Sequence, residues 1–134
     1  MRKTIVAGVI TAFLASFAVA TPAQAGDVIV VPRSCPAGYF CAYQLADFDG
    51  LMWKWAGDDS NWGNNYSGGL SASNRATSVF NNGTPCYKCD HVIVFDEAGY
   101  EGYLGWFAPG EAVWNLPDYQ DNKIEAHEWG GAVG

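Results

Sequence analysis

From residue 27 onward the apolar positions fall in short runs, and helical spacing is almost absent. Asp27-Val28-Ile29-Val30-Val31 is a β-branched run ended by Pro32, and His91-Val92-Ile93-Val94-Phe95 is another. Polar and glycine-rich clusters separate such runs, at 47–50, 57–65, 81–83, 98–102 and 109–110. Short strands at that spacing, rich in aromatics and punctuated by turn residues, predict an all-β domain, a sandwich or Greek key.

The pattern repeats. Tyr43-x4-Phe48-x-Gly50 returns as Phe95-x4-Tyr100-x-Gly102, 52 residues later at all three positions, and Trp55 to Phe107 keeps the offset. Asn74-Arg75-Ala76-Thr77-Ser78 has a weaker echo in Asn122-Lys123-Ile124-Glu125-Ala126 at an offset of 48. Each half reads as strand, aromatic-glycine turn, strand, loop, then a polar turn into another strand, with units at about 35–85 and 86–134. In such a hairpin the second aromatic packs back over the fold and the glycine takes a positive φ that a side chain opposes. One unit buries only one sheet face; two packed together close a shared core.

The first 25 residues change the picture of where this domain works. Arg2 and Lys3 precede an uncharged stretch rich in Ala, Val, Ile and Phe, Pro22 breaks it, and Ala23-Gln24-Ala25 puts small residues at a cleavage site. That order reads as a secretory signal rather than a membrane anchor, leaving one mature domain at 26–134. The whole chain has a formal charge of −7; without the signal, five Lys/Arg face fourteen Asp/Glu, a charge of −9. Nucleic acid and anionic membrane would repel such a domain. A chain of this size buries about two-thirds of its unfolded surface, so cross-links help it.

Four cysteines supply them. Three pairings of Cys35, Cys41, Cys86 and Cys89 are open, and the spacing favours Cys35 with Cys41 and Cys86 with Cys89. Pro36 and Gly38 suit a tight closed loop between the first two. A redox role for Cys86-Tyr87-Lys88-Cys89 lacks its βαβ context, and a zinc site from both pairs has poor ligand spacing.

The doubled aromatic-x4-aromatic-x-Gly motif, followed by the Asn-x-x-Thr-Ser turn at 74–78, resembles the βγ-crystallin Greek key. The run 35–43, the stretch 75–84 and Ala108-Pro109-Gly110 resemble a secreted actinobacterial peptidase-inhibitor family, that of the Streptomyces metalloproteinase inhibitor. The resemblance spans nearly the whole mature chain. It implies a two-Greek-key sandwich, monomeric, that presents a rigid loop to a secreted metallopeptidase, with a disulfide beside the loop limiting the entropy lost on binding. In that family the second cysteine pair lies further downstream, with the reactive bond in its loop. Here Cys86 follows Asn82-Gly83-Thr84 almost at once and 96–107 has no cysteine, so no reactive bond carries over. The constrained candidate is Pro85, Tyr87, Lys88 and Asp90 with their two cysteines.

The alternative is a secreted binding or structural module on the same scaffold, tuned by calcium or glycan. βγ-crystallin units bind calcium at paired turns through side-chain and carbonyl oxygens, and calcium takes six to eight. Here Ser73 and Glu125-Ala126 depart from the pattern, and one site remains from Asp121, the Arg75 carbonyl and Thr77. Trp62, set among Asp58, Asp59, Asn61 and Asn64, is a candidate to stack on a sugar ring. No H-E-x-x-H, G-x-S-x-G or phosphate-cradling glycine loop is present, and an enzyme is not expected. An exposed, rigid 86–89 loop would favour the inhibitor; a bridge buried in a hairpin would favour the module.

Overall fold

The structure, a computed structural model, describes residues 34–131. The export signal read at 1–25 and the β-branched run at 27–31 lie outside the described residues. The strands, in chain order, are β1 (Tyr39–Leu45), β2 (Asp49–Trp55), β3 (Tyr66–Ser67), β4 (Leu70–Ser71), β5 (Ser78–Asn82), β6 (His91–Glu97), β7 (Glu101–Phe107), β8 (Ala112–Val113) and β9 (Ala126–Gly130). Single 3-10 turns occupy Ala46–Phe48 and Trp62–Asn64. The strands form antiparallel sheets in the orders β2-β1-β5-β8 and β7-β6-β9, with β3-β4 as a separate ribbon. The all-β, Greek-key expectation holds.

The sequence repeat reappears as geometry. Tyr43 meets Phe48 edge-on at 5.5 Å and 78°, and Phe95 meets Tyr100 at 5.8 Å and 70°. Phe48 and Tyr100 sit at φ +57° and +64°, and the glycines two residues on, Gly50 and Gly102, at +78° and +74°. A Cβ on Gly102 would come within 1.7 Å of Asp96 Oδ1, so the turn excludes a side chain sterically as well as conformationally.

The halves are not two self-contained four-stranded sheets. The third segment of each crosses to the other. β8 of the second half pairs with β5 of the first, Val79 opposite Val113 and Phe80 opposite Ala112. In return Asp59 of the first half bridges to His127 on β9, the two exchanging N–H···O bonds of 3.0 and 2.9 Å. The polar turns cross in the same way. Asn74 donates its N–H to the Ile124 carbonyl at 3.1 Å, and Asn122 donates to the Ala76 carbonyl at 2.9 Å. Asn74 and Asn122 have φ of +56° and +57°, a region asparagine tolerates better than most residues. Each exchange covers backbone groups that a lone half would leave unpaired at a sheet edge.

The core lies between the two larger sheets and draws on both: Phe40, Trp53, Trp55 and Val79 from one, Val92, Val94 and Phe107 from the other, with Trp62, Leu116 and Ile124 from the connections. β1 is central and buried on both faces. Phe40 and Ala42 face this core, while Cys41 and Tyr43 pack with Cys35, Phe48 and Phe80 in a second, smaller cluster. At the centre Trp55 stacks on Trp62 at 4.3 Å and 20°. The Trp62 indole N–H donates to Nδ1 of the fully buried His127 at 2.9 Å. Nε2 of that ring therefore carries the proton and donates to the Gly57 carbonyl at 2.8 Å.

Burial pushes the His127 pKa down to about 4, against weaker raising effects from the Gly57 carbonyl, Asp59 and Asp58. Protonating Nδ1 would also set a donor against the indole donor. The unfolded chain takes up this proton first, at pH near 6.5, so stability falls as the pH drops from 6.5 toward 4 and levels off below. The shift corresponds to about 3 kcal/mol over that window. Urea unfolding across pH 7 to 4 checks this, and a His127→Gln variant is expected to flatten the slope.

Candidate functional site

β5 ends at Asn82 and β6 begins at His91. The chain between them carries the second cysteine pair. Pro85 has no N–H to offer a sheet, which helps end the strand pairing there. Cys86 and Cys89 are bonded with their Cα atoms 5.4 Å apart, closing a four-residue ring. Residues 84–89 are all exposed, Tyr87 at 86%, with the Lys88 ammonium 5.3 Å from its ring centre. Lys88 has φ +59°, so the ring is a turn and not an extended segment.

The ring is braced from below. Asp90 Oδ2 accepts the Cys86 N–H at 2.9 Å, and its Oδ1 lies 2.8 Å from His91 Nδ1. The Cys86 N–H, foremost, holds the Asp90 carboxyl below the usual carboxylate range; partial burial opposes it, and His91 adds to it. Beneath, the buried Asn81 amide donates to the Asp90 and Phe107 carbonyls, both at 2.9 Å, and its oxygen accepts the Gly83 N–H at 2.9 Å. One core side chain thus ties both ends of the loop to the fold.

The other cysteine pair, Cys35–Cys41, has Cα atoms 6.0 Å apart and lies in the smaller apolar cluster. Among the described residues no cysteine is free, which removes the four-thiolate zinc reading. The pair at 86 and 89 sits on the loop that joins β5 of one sheet to β6 of the other and opens no helix, so the redox context is absent as well.

The polar turns place Arg75, Thr77 and Asp121 in one neighbourhood, through the Asn122-to-Ala76 bond. Asp121 Oδ1 is buried there without a hydrogen-bond partner. The Arg75 guanidinium folds back onto the Ser71 carbonyl and hydroxyl, at 3.0 and 3.2 Å. In the mirrored position the Ser73 hydroxyl donates to the Glu125 carboxylate. Trp62 is not available to a sugar: it is fully buried, stacked on Trp55 and bonded to His127. Its polar neighbours Asp59 and Asn61 serve the turn instead, Asp59 Oδ1 accepting the Asn61 N–H and Asn61 Oδ1 accepting the Gly63 N–H, each at 2.9 Å.

The model of peptidase inhibitor family I36 matches residues 31–107, more than half of the chain. The chain belongs to peptidase inhibitor family I36. I36 is a family of inhibitors and not of enzymes, so the partner to which membership points is a peptidase. A solved structure described under "Evolution of the eye lens beta-gamma-crystallin domain fold" is 17% identical, with a TM-score of 0.56, over 75% of this chain and 93% of that one. At that identity the likeness carries the fold alone, and it agrees with the doubled Greek key. No curated protein matches the chain. The I36 match takes in the whole of the 84–90 loop.

Three features of this candidate site are not legible in the residues alone. Asn81 reads as an ordinary turn asparagine; only its burial makes it the root of the loop. Asp90 was one of several loop residues, and its clamp on Cys86 is a matter of geometry. Trp129, far along the chain, reads as core filler, yet its ring lies against Gly83 at the foot of the loop. The clamp has a measurable consequence. The Cys86 amide is expected to be protected from hydrogen exchange at neutral pH and to lose protection as the pH falls through and below the usual Asp range, because the lowered Asp90 pKa means the bond needs the ionised form. Asp90→Ala should remove that protection at neutral pH while leaving the exchange of Val92 and Val94 in the core unchanged.

Proposed function

We propose that the protein is exported and inhibits an extracellular metallopeptidase through the loop at 84–90. The observation that carries the reading is that a chain of an inhibitor family holds an exposed ring closed by a disulfide and rooted in the core by Asn81 and Asp90. A loop already ordered in the free protein loses little entropy on docking. Tyr87, the most exposed large hydrophobic side chain of the described residues, is of a residue type that anchors interfaces. The arginine-free, compact ring, with Lys88 at positive φ, does not offer an extended backbone. The contact is therefore read as a side-chain plug led by Tyr87, with the bonds inside the ring left uncut. Export is supported by the leader-like residues 1–25 and by two disulfides, which persist in oxidising surroundings.

Titration of purified 26–134 against a thermolysin-type metallopeptidase, with serine and cysteine peptidases alongside, tests this. Stoichiometric inhibition of the metallopeptidase alone is expected, with the ring intact by mass spectrometry. Tyr87→Ala should weaken inhibition at least tenfold without a change in thermal midpoint. Inhibition confined to another peptidase class would overturn the metallopeptidase assignment.

One observation favours a second property of the same scaffold, calcium binding. Asp121 Oδ1 is buried without a hydrogen-bond partner, and the next residue, Asn122, is bonded to Ala76, which lies between Arg75 and Thr77. A carboxylate oxygen of this kind fits a calcium ligand, since a buried acceptor without a donor is costly. Those three groups would hold the ion, with water completing the shell. Millimolar calcium is expected to raise the thermal midpoint of the wild type and not of Asp121→Ala; equal midpoints with calcium and chelator would exclude the site.

A further inference from the structure

The cysteine loop is not alone at its end of the fold. At its foot lies a cleft of about 310 Å³ lined by Gly38, Ala56, Gly83, Thr84, Cys89 and Trp129. The six come from the turn before β1, the end of β2, the exit of β5, the loop itself and β9, so strand pairing alone brings them together.

Three observations bear on what the cleft takes. None of its lining side chains is charged, in a mature domain of formal charge −9. Its aromatic wall is fixed. The Trp129 backbone N–H donates to Asp58 Oδ1 at 2.8 Å and the indole N–H to the Gly57 carbonyl at 3.2 Å. The ring lies so close to Gly83 that a Cβ there would come within 2.5 Å of it. Lastly, Thr84 and Cys89 belong both to the cleft and to the exposed loop, so a surface docked on the loop also lies over the cleft. An uncharged, preformed hollow beside an exposed aromatic anchor suits an apolar side chain arriving from the docked partner.

We propose that this cleft receives an apolar or aromatic side chain from the rim of the bound peptidase's active-site groove. The contact is then reciprocal, with Tyr87 reaching outward into the peptidase and a peptidase side chain reaching inward against Trp129. The proposal rests on the reading of the 84–90 loop as the peptidase contact and adds to it a determinant of which peptidases are bound. A peptidase with a charged or short residue at that rim position would be inhibited less.

The test fills the cleft from its exposed rim without touching the loop. Ala56→Trp is expected to raise the inhibition constant at least tenfold against whichever peptidase the wild type inhibits, with an unchanged thermal midpoint, while Ala56→Ser inhibits as the wild type does. The Trp129 indole N–H resonance of the wild type should shift on complex formation. If Ala56→Trp inhibits normally while Tyr87→Ala does not, the cleft proposal is overturned and the loop reading stands. If the wild type inhibits no peptidase of the three classes, the loop reading fails and the cleft proposal with it. Should Ala56→Trp not fold, the Trp129 resonance decides, and an unmoved signal in the complex overturns the proposal. Nuclear Overhauser contacts between the methyls of residues 28–31 and the Trp129 ring in the free protein would also overturn it, by giving the cleft to the chain's own N-terminal segment.

Discussion

The hydrogen bond from the Trp62 indole to the His127 imidazole stands at the point where the two halves of this protein exchange chain. An indole N–H in an apolar core needs an acceptor, or its desolvation goes uncompensated. His127 supplies one only while neutral and only as the tautomer that donates to Gly57. That single pair fixes the position of the crossing segment at 57–62, which fixes the bridge of Asp59 to β9. It also fixes the Trp55–Trp62 stack that fills the centre between the sheets. Trp129, two residues beyond His127, donates to the same Gly57 carbonyl, so the wall of the loop-side cleft depends on the same crossing.

The duplication is close but not exact in its chemistry, and the differences have structural consequences. In the first half, the Ser78 hydroxyl accepts the Phe48 N–H at 3.0 Å and donates to the Leu45 carbonyl at 2.6 Å, locking the aromatic hairpin. The corresponding residue of the second half is Ala126, which has no hydroxyl to offer. Trp62 is buried, whereas Trp114, 52 residues later, is 60% exposed, its carbonyl accepting the Asp47 N–H at 2.8 Å. β5, the first-half strand to which this segment crosses, has Val79 where β9 has His127, so no histidine stands there for that indole. The first crossing is therefore anchored by side chains inside the core, and the second mainly by backbone.

Rigidity at the candidate site follows from the same economy. The cysteine ring contributes little apolar burial and would fray if held by its bridge alone. Asn81 links it to the core from one side, since its amide and carbonyl serve the Asp90 carbonyl, the Phe107 carbonyl and the Gly83 N–H together. The Asp90 carboxylate links it from within. An exposed loop that is ordered before it meets a partner suits the inhibitory contact proposed for it.

By itself the sequence determined the local units. The aromatic-x4-aromatic-x-Gly hairpins followed from residue chemistry, because only glycine suits the positive φ beneath a folded-back ring, and the all-β class followed from short β-branched runs between turns. The cysteine spacing favoured the pairing that the structure contains, and the loop at 85–90 was recognisable as constrained. What only the tertiary structure decided was which half each strand would join and which side chains would be withdrawn from solvent. Trp62 among Asp and Asn residues reads locally as a surface ring; it is core because a histidine 65 positions away completes its hydrogen bond. Asn81, Asp90, Gly83 and Trp129 acquire their roles from burial and from pairing between distant strands. Such relations leave no local periodicity to read, since they arise when two sheets close on each other and not from the preferences of neighbouring residues.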